Sequence, residues 1–185
     1  MRQVLRPVRD SLELMEPARV NAERLHERAL SDSFWLTALS HTYEQLYMAN
    51  WHLGDVDAAL KAASKCLEFT KLWSDADSGN HEALQRLAVA LTIFGNASRR
   101  LNKLGDVHKA HSSALEIRKG PANADPKNTT VEGDLGISWS RRVDVYWDEA
   151  DYSHALDASR PLRRMHHGKK TLQNRIRVLA VHSGV

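Results

Sequence analysis

Cysteine is almost absent from this sequence, and its absence excludes two kinds of structure. Cys66 is the single cysteine among 185 residues, so the chain can form neither an internal disulfide nor a cysteine-based metal cluster. Glycine and proline are also scarce, at nine and five residues, which leaves little material for the turns of an all-β fold. Alanine, leucine, arginine and glutamate are plentiful, and all four favour helices. The composition therefore predicts an all-α protein.

Long apolar runs are missing as well. The longest, from Leu87 to Phe94, is interrupted by Thr92 and is far shorter than the roughly 20 residues that a membrane-spanning helix needs. The N-terminal segment carries charges throughout and lacks the apolar core of a secretory signal. With 42% hydrophobic and 26% charged residues, the chain has the balance of a folded domain. We expect a cytoplasmic protein with no membrane span.

Acidic residues are absent from the C-terminal end. From Arg160 onward there are seven Lys or Arg and no Asp or Glu, whereas the segment 1–159 carries 19 Lys or Arg against 23 Asp or Glu, a net charge of −4. Such a basic segment can bind phosphates of nucleic acid or an acidic membrane, or it can complement the negative C-terminal end of a helix. No aromatic residue is interleaved there for base stacking, which favours the second interpretation.

An internal repeat is the main positive feature of the sequence. The segment 53–60, LGDVDAAL, recurs at 104–111 as LGDVHKAH and more loosely at 149–156 as EADYSHAL. A second marker, ADSGN at 76–80, recurs at 124–128 as ADPKN. A matching leucine follows each copy of the second marker, Leu87 in the first and Leu135 in the second, and the two leucines are separated by the same interval as the markers. Alternating markers at a fixed period predict a repeat architecture.

Each repeat predicts a helical hairpin. The Asp- and Asn-containing marker is a turn that caps a helix A, and the Gly-Asp pair ends helix A and caps a helix B. Small residues four apart in helix B, Ala59 with Ala63 and Ala110 with Ala114, allow helix A to pack closely. The predicted ranges for helix A are about 32–53, 81–104 and 129–149, and those for helix B are about 55–73, 106–119 and 151–166.

Both ends of the repeat region are predicted to be incomplete. The segment 1–16 lines up with a helix B that has no helix A before it, and Thr171 to His182 resembles a helix A with no partner after it. The predicted organisation is a repeat domain over 1–170, with a half-repeat at 1–16, hairpins at about 21–73, 80–119 and 128–166, and an incomplete repeat at 171–185. In this register, repeat one carries an insertion around Asp32 to His41 and repeat two a three-residue extension before Leu104. Open ends predict a piece of a longer protein or a dimer joined through them.

These residues resemble tetratricopeptide repeats (TPRs). The family's large early residue in helix A corresponds to Tyr43, Phe94 and Trp139, its later one to Asn50, Leu101 and Tyr146, and its small residue in helix B to Ala59, Ala110 and Ala155. Asp125-Pro126-Lys127-Asn128 matches the usual closing motif, and the 48-residue spacing is similar to that of a long-repeat bacterial subclass attached to signalling domains such as Ser/Thr kinases. The resemblance implies a right-handed superhelical solenoid of antiparallel hairpins.

The resemblance also implies a function, which is protein–protein interaction. The concave face of such a solenoid is lined by helix A and binds a peptide or a partner helix. The positions expected on that face are His41, Glu44, Met48, Arg99, Lys103, Asp144, Trp147 and Asp148. Arg99 and Lys103, four apart on the predicted helix, could bind an acidic peptide or could form a solubilising stripe.

Residue patterns for catalysis and metal binding are weak. His108 and His111 are three apart on a predicted helix and His166-His167 lies in the basic segment, but no third and fourth ligand accompanies either pair. Cys66 is expected to be a small buried hydrophobe, and most of the five tryptophans are expected in the hairpin core. No phosphate loop, nucleophile elbow or kinase signature is present.

The sequence therefore predicts an interaction scaffold with no enzymatic activity, cofactor or metal of its own. Two alternatives remain. One is the regulatory C-terminal segment of a bacterial Ser/Thr protein kinase or similar signalling enzyme, and the other is a nucleic-acid-binding helical protein that uses the basic tail.

Overall fold

The computed structural model describes residues 6–28, 32–165, 178 and 181 of the chain. Every regular element within residues 6–28 and 32–165 is an α-helix, which confirms the all-α prediction. The helices are α1 (Arg6–His26), α2 (Ser33–Leu53), α3 (Val56–Ala76), α4 (His81–Arg100), α5 (Leu104–Ala124), α6 (Thr129–Asp148) and α7 (Tyr152–Met165). The predicted helix at 171–182, apart from Val178 and Val181, and the His166-His167 pair lie outside the described residues.

Two compact units make up the chain, one at residues 1–103 and one at 104–185. In the first unit α1 packs on α2, α2 on α3 and α3 on α4; in the second α5 packs on α6 and α6 on α7. Because only a few residues separate these neighbours along the chain, each contacting pair is an antiparallel hairpin of the kind from which α-solenoids are built. The boundary at Lys103 falls inside the predicted hairpin of residues 80–119, so the pairing of its two helices stays a prediction.

Three helices begin with the same kind of cap, at the evenly spaced positions 32, 80 and 128. Asp32, Asn80 and Asn128 each have an extended backbone, and each side chain accepts hydrogen bonds from backbone N–H groups of the first turn. The Asn80 side chain accepts from Glu82 at 3.0 Å and from Ala83 at 3.1 Å. These bonds satisfy donors that would otherwise lack a partner at a helix start, which is why helix A begins at these positions.

The same helices end in matching turns, which are separated by the same interval as the caps. Gly54, Asn102 and Ala150 take the left-handed backbone conformation, with φ of 79°, 55° and 56°. Each donates its N–H to the carbonyl three residues earlier, and the following residue donates to the carbonyl five residues before itself, as Asp55 does to Asn50 at 3.0 Å. This arrangement satisfies the last carbonyls of a helix and turns the chain back. Caps and turns together define a structural repeat whose period is the interval from Asn80 to Asn128.

The predicted register of the second repeat is wrong by three residues. Gly105 lies inside the first turn of α5, and the turn that ends α4 is made by Asn102. Helix A of this repeat therefore ends at Arg100 instead of 104, and helix B begins at Leu104 instead of 106. Asparagine tolerates the left-handed conformation because its short polar side chain can bond locally. With Asn102 in this role, the expected extension before Leu104 and the expected insertion at Asp32 to His41 both disappear.

The buried face of helix B follows the corrected register. Ala59, Val107 and Ala155 are separated by the repeat period and are each fully buried. The predicted match of Ala59 with Ala110 is therefore wrong. Ala110 is equivalent to Ala62 in the first repeat and to Ala158 in the third, and all three are buried. The same holds one turn further on, where the buried equivalents are Cys66, Ala114 and Leu162. Equivalent buried positions in successive repeats hold side chains of different size. For this reason, matching identical residues between repeats gives the wrong alignment.

Helix α1 extends ten residues beyond the predicted half-repeat at 1–16, and includes Pro17. A polar cluster ties it to α2: the Tyr43 hydroxyl donates to Glu23, and Arg19 donates to Glu23 at 2.6 Å and to the Tyr43 oxygen at 3.4 Å. The Tyr43 ring stacks on Phe69 of α3 with centroids 5.7 Å apart. Tyr43 therefore joins α1, α2 and α3 through its two ends.

Tryptophans contribute to the cores of both units, as expected for most of them. Trp73 is buried in the first unit, and Trp51 packs against the same cluster. In the second unit Trp139 and Trp147 pack against Val143 and the buried residues of α7. A polar link joins α5 to α6, since Arg118 donates to the Ser138 hydroxyl at 2.7 Å.

Candidate functional site

Two side-chain contacts in the first unit place α2 beside α4. Glu44 Oε2 accepts from Arg86 Nη1 at 3.1 Å, and the Arg100 guanidinium lies 5.2 Å from the centre of the Trp51 ring. The first contact joins the middle of α2 to the early part of α4, and the second joins their C-terminal ends. The two helices therefore run in the same direction, as successive A helices of hairpin repeats do.

The face formed by these contacts is named here the α2–α4 face. From α2 it includes Glu44, Met48 and Trp51, which lie at the spacing of one helix face. From α4 it includes the two cations Arg86 and Arg100. The ion pair is partly exposed, with 24% of the Glu44 and 33% of the Arg86 side chain accessible. Arg86 and Arg100 were missed by sequence reasoning, because no local pattern indicates a contact between side chains so far apart along the chain.

The predicted residues of α2 lie together on this side. His41 and Glu44 are half-buried and Met48 is 42% exposed. Beside them is an open groove of about 540 Å³ between α1 and α2, lined by Val8, Ser11, Met15, Glu44, Gln45, Met48, Ala49 and His52. An apolar centre with charged and polar neighbours of this kind can bind a side chain of a partner.

The predicted pair of Arg99 and Lys103 does not share a helix face. Arg99 lies in the last turn of α4 and is half-buried, whereas Lys103 lies beyond the end of the helix and is exposed. The Lys103 N–H donates to the Ser98 carbonyl at 3.0 Å, within the turn made by Asn102. The predicted helix face shared by Arg99 and Lys103 is therefore wrong, because it required a helix that continues to residue 104. Binding of an acidic peptide by these two side chains stays a prediction.

The three predicted residues of α6 differ in their exposure. Asp144 is buried, 7% exposed, and lies 3.4 Å from Arg141. Trp147 is half-buried and contacts the Tyr152 ring edge-on, with centroids 5.6 Å apart. Asp148, the last residue of α6, is exposed. Asp144 and Trp147 thus belong to the packing of the second unit, and Asp148 alone of the three offers an exposed side chain.

A cluster of basic side chains surrounds Tyr146 in the second unit. The His154 ring stacks on Tyr146 at 5.4 Å, the His108 ring meets it edge-on at 5.7 Å, and Arg142 donates to its hydroxyl at 3.0 Å. His154 Nδ1 lies 2.6 Å from Asp151, and the bonds to His154 lower the pKa of that carboxyl. This cluster links α5, α6 and α7.

Cys66 and the histidine pair were the other sequence candidates. Cys66 is buried, its thiol donates to the Ser40 carbonyl at 3.3 Å, and burial raises its pKa to about 12. His111 is buried, whereas His108 is half-buried against Tyr146. Among the described residues, no group of three or more His, Cys, Asp or Glu side chains is placed to hold a metal ion. Within the same residues, no helix has the length and apolar content required to cross a bilayer.

The caps, the turns and the parallel helices of the α2–α4 face define the class of the protein, which is built of paired helices in a 48-residue repeat. No family model matches the chain, and no curated protein matches it. Among solved structures, the chain is similar to one titled "Crystal structure of MamA protein", a TPR-like helical protein, at 17% identity. The match covers 79% of this chain and 83% of that chain, with a TM-score of 0.36.

Proposed function

We propose that the chain is a protein-interaction scaffold that binds a peptide or partner helix on the α2–α4 face. The observation that carries the proposal is the parallel placement of α2 and α4, tied by the Glu44–Arg86 ion pair and the Arg100–Trp51 contact. Successive A helices side by side form the surface that helical-hairpin repeats use for binding. Met48 supplies the exposed apolar anchor, and His41 and Glu44 supply polar contacts beside it.

The exposed apolar side chain of Met48 provides a direct test. Met48 is 42% exposed on α2 and Leu72 is 43% exposed on α3, so the two positions form a matched pair. Met48→Asp places a charge on the proposed binding face, and Leu72→Asp places the same charge elsewhere on the same unit. Affinity capture from the native cell, quantified by mass spectrometry, is expected to lose its specific partner with Met48→Asp and keep it with Leu72→Asp. Equal capture by both variants would contradict the proposal.

A finer proposal is that the scaffold belongs to a larger bacterial signalling protein. Its support is the resemblance to the long-repeat subclass attached to kinases. The chain alone is then expected to turn over no ATP, and its captured partners are expected to include components of a phosphorylation system. Turnover of ATP by the isolated chain would contradict this assignment.

A further inference from the structure

A second groove lies on a different side of α2 from Met48. It has a volume of about 760 Å³ and runs between α1 and α3, with Tyr43, Leu46 and Asn50 of α2 between them. Its apolar lining includes Leu12 of α1, and Ala58 and Ala62 of α3 are small enough for another backbone to approach closely.

The two edges of this groove carry opposite charge. Glu13 and Glu16 line the α1 edge, and Lys61 and Lys65 line the α3 edge. Glu16 is paired with Arg19, and Lys65 with Glu68 at 2.9 Å. Glu13 and Lys61 are exposed and form no ion pair with another described residue, so within this groove the α1 edge offers one acidic side chain and the α3 edge one basic side chain to a partner.

The length of the groove indicates the size of its occupant. A neighbouring groove of about 580 Å³ shares Leu12, Glu13 and Asn50 with it and continues to Arg9 on the α1 side and to Gly54 and Asp55 on the α3 side. Arg9 and Asp55 reverse the two charges there, so the acidic α1 edge and the basic α3 edge belong to the larger groove alone. Together the two grooves follow α1 from Arg9 to Arg19. At 1.5 Å per residue this span is about 15 Å, or about three helical turns.

We propose that this groove binds an amphipathic helix of a partner protein, with an apolar stripe, one basic edge and one acidic edge. The stripe packs on Leu12, Leu46 and Ala62, the basic edge faces Glu13, and the acidic edge faces Lys61. The site adds a second binding surface to the one on the α2–α4 face, and it depends on different residues.

Three synthetic helical peptides of about fourteen residues test the proposal. All carry leucine at every third or fourth position; one has lysine along one edge and glutamate along the other, one has lysine along both, and one has glutamate along both. A peptide with its two charged edges exchanged is not a useful control, because it could bind in the opposite direction and present the same charges to the groove. Peptides with one sign of charge on both edges avoid this problem. The mixed peptide is expected to bind about tenfold more tightly than either control by fluorescence anisotropy.

A charge reversal on the protein supplies the second arm of the experiment. Lys61→Glu makes both edges acidic, so the preference is expected to shift about tenfold from the mixed to the all-lysine peptide. Lys71→Glu, an exposed lysine of α3 outside the groove, is expected to leave the preference unchanged. Circular dichroism checks that both variants keep their helices.

Three results would overturn the proposal. The first is binding of all three peptides with equal affinity, and the second is the same response to Lys61→Glu and Lys71→Glu. The third is a parent protein that sediments as a dimer and dissociates with Lys61→Glu, because the groove would then hold a second copy. Met48→Asp does not alter this groove, because Met48 does not line it. The capture experiment therefore tests the proposed function alone, and the peptide experiment tests this inference alone.

Discussion

Glu44 of α2 and Arg86 of α4 form an ion pair of 3.1 Å across 42 residues of sequence. Both side chains are partly exposed, so solvent weakens the interaction. A double-mutant cycle with Glu44→Gln and Arg86→Gln is expected to give a coupling free energy of about 0.5 kcal/mol in the unfolding equilibrium. High salt is expected to reduce that value. A coupling of zero at low salt would show that this pair does not hold α2 beside α4.

Tyr43 is expected to stabilise the first unit through its hydroxyl. Tyr43→Phe keeps the ring on Phe69 but removes the hydroxyl that donates to Glu23 and accepts from Arg19. Because a partly buried carboxylate then loses a donor, the free energy of unfolding is expected to fall by about 1–2 kcal/mol, measured by urea denaturation. The matched control is Tyr152→Phe in the second unit, which should leave unfolding of the first unit unchanged.

The same tyrosine predicts alkaline destabilisation. Burial, reinforced by the bond to Glu23, raises the pKa of Tyr43 to about 12, above its ordinary value of 10.0. The folded state therefore favours the protonated phenol, so its contribution is fully present below about pH 10 and is lost as the pH rises toward about 12. Melting temperatures across this range should fall less steeply in Tyr43→Phe than in the parent. If the melting temperatures of the two proteins fell equally with pH, Tyr43 would not be the group that causes the alkaline destabilisation.

Cys66 is expected to resist alkylation in the folded protein. Its thiol is buried and its pKa is raised to about 12, so little thiolate exists at neutral pH and reagents cannot reach it. Iodoacetamide at pH 8 should label the protein only after addition of denaturant, as followed by intact mass. Rapid labelling of the native protein would place Cys66 outside the core.

Asn80 is expected to contribute to stability as a helix cap. Asn80→Ala removes the acceptor for two N–H groups of α4 and should lower the free energy of unfolding by about 1 kcal/mol. Asn123 is an exposed residue near the end of α5, and Asn123→Ala is the control, expected to leave stability unchanged or slightly raised. Equal effects at the two positions would indicate that Asn80 is no cap.

The fold class was predictable from the sequence because its signals are local. Asn80 and Asn128 precede Leu87 and Leu135 by the same number of positions, and each asparagine side chain caps its helix as the marker predicts. The turn at Gly54-Asp55 was also predictable, since glycine adopts the left-handed conformation without strain.

The register of the second repeat was not predictable from the Gly-Asp marker. Gly105 and Asp106 suit the first turn of a helix as well as a turn between helices, because a carboxylate near a helix N-terminus is favourable. Asn102 took the turn position instead, and no marker distinguished it. This error carried into the candidate site, because it placed Lys103 on α4.

Burial of Asp144 was likewise outside the reach of a local pattern. Counting back from a turn places a residue on a side of the helix, but it does not show which neighbouring helix covers that side. Two of the residues expected on the binding face, Asp144 and Trp147, lie in the packing of the second unit for this reason.

The 48-residue structural repeat is the central claim, and paired glycine substitutions test it most directly. Gly54 has a φ of 79°, so Gly54→Ala should lower the free energy of unfolding by about 1 kcal/mol. Gly105 lies in the first turn of α5 with open space around an added Cβ, so Gly105→Ala should leave stability unchanged or raise it by up to about 1 kcal/mol. Urea denaturation of the two variants measures both effects. A loss at Gly105 equal to that at Gly54 would restore the Gly105-Asp106 turn and contradict the repeat described here.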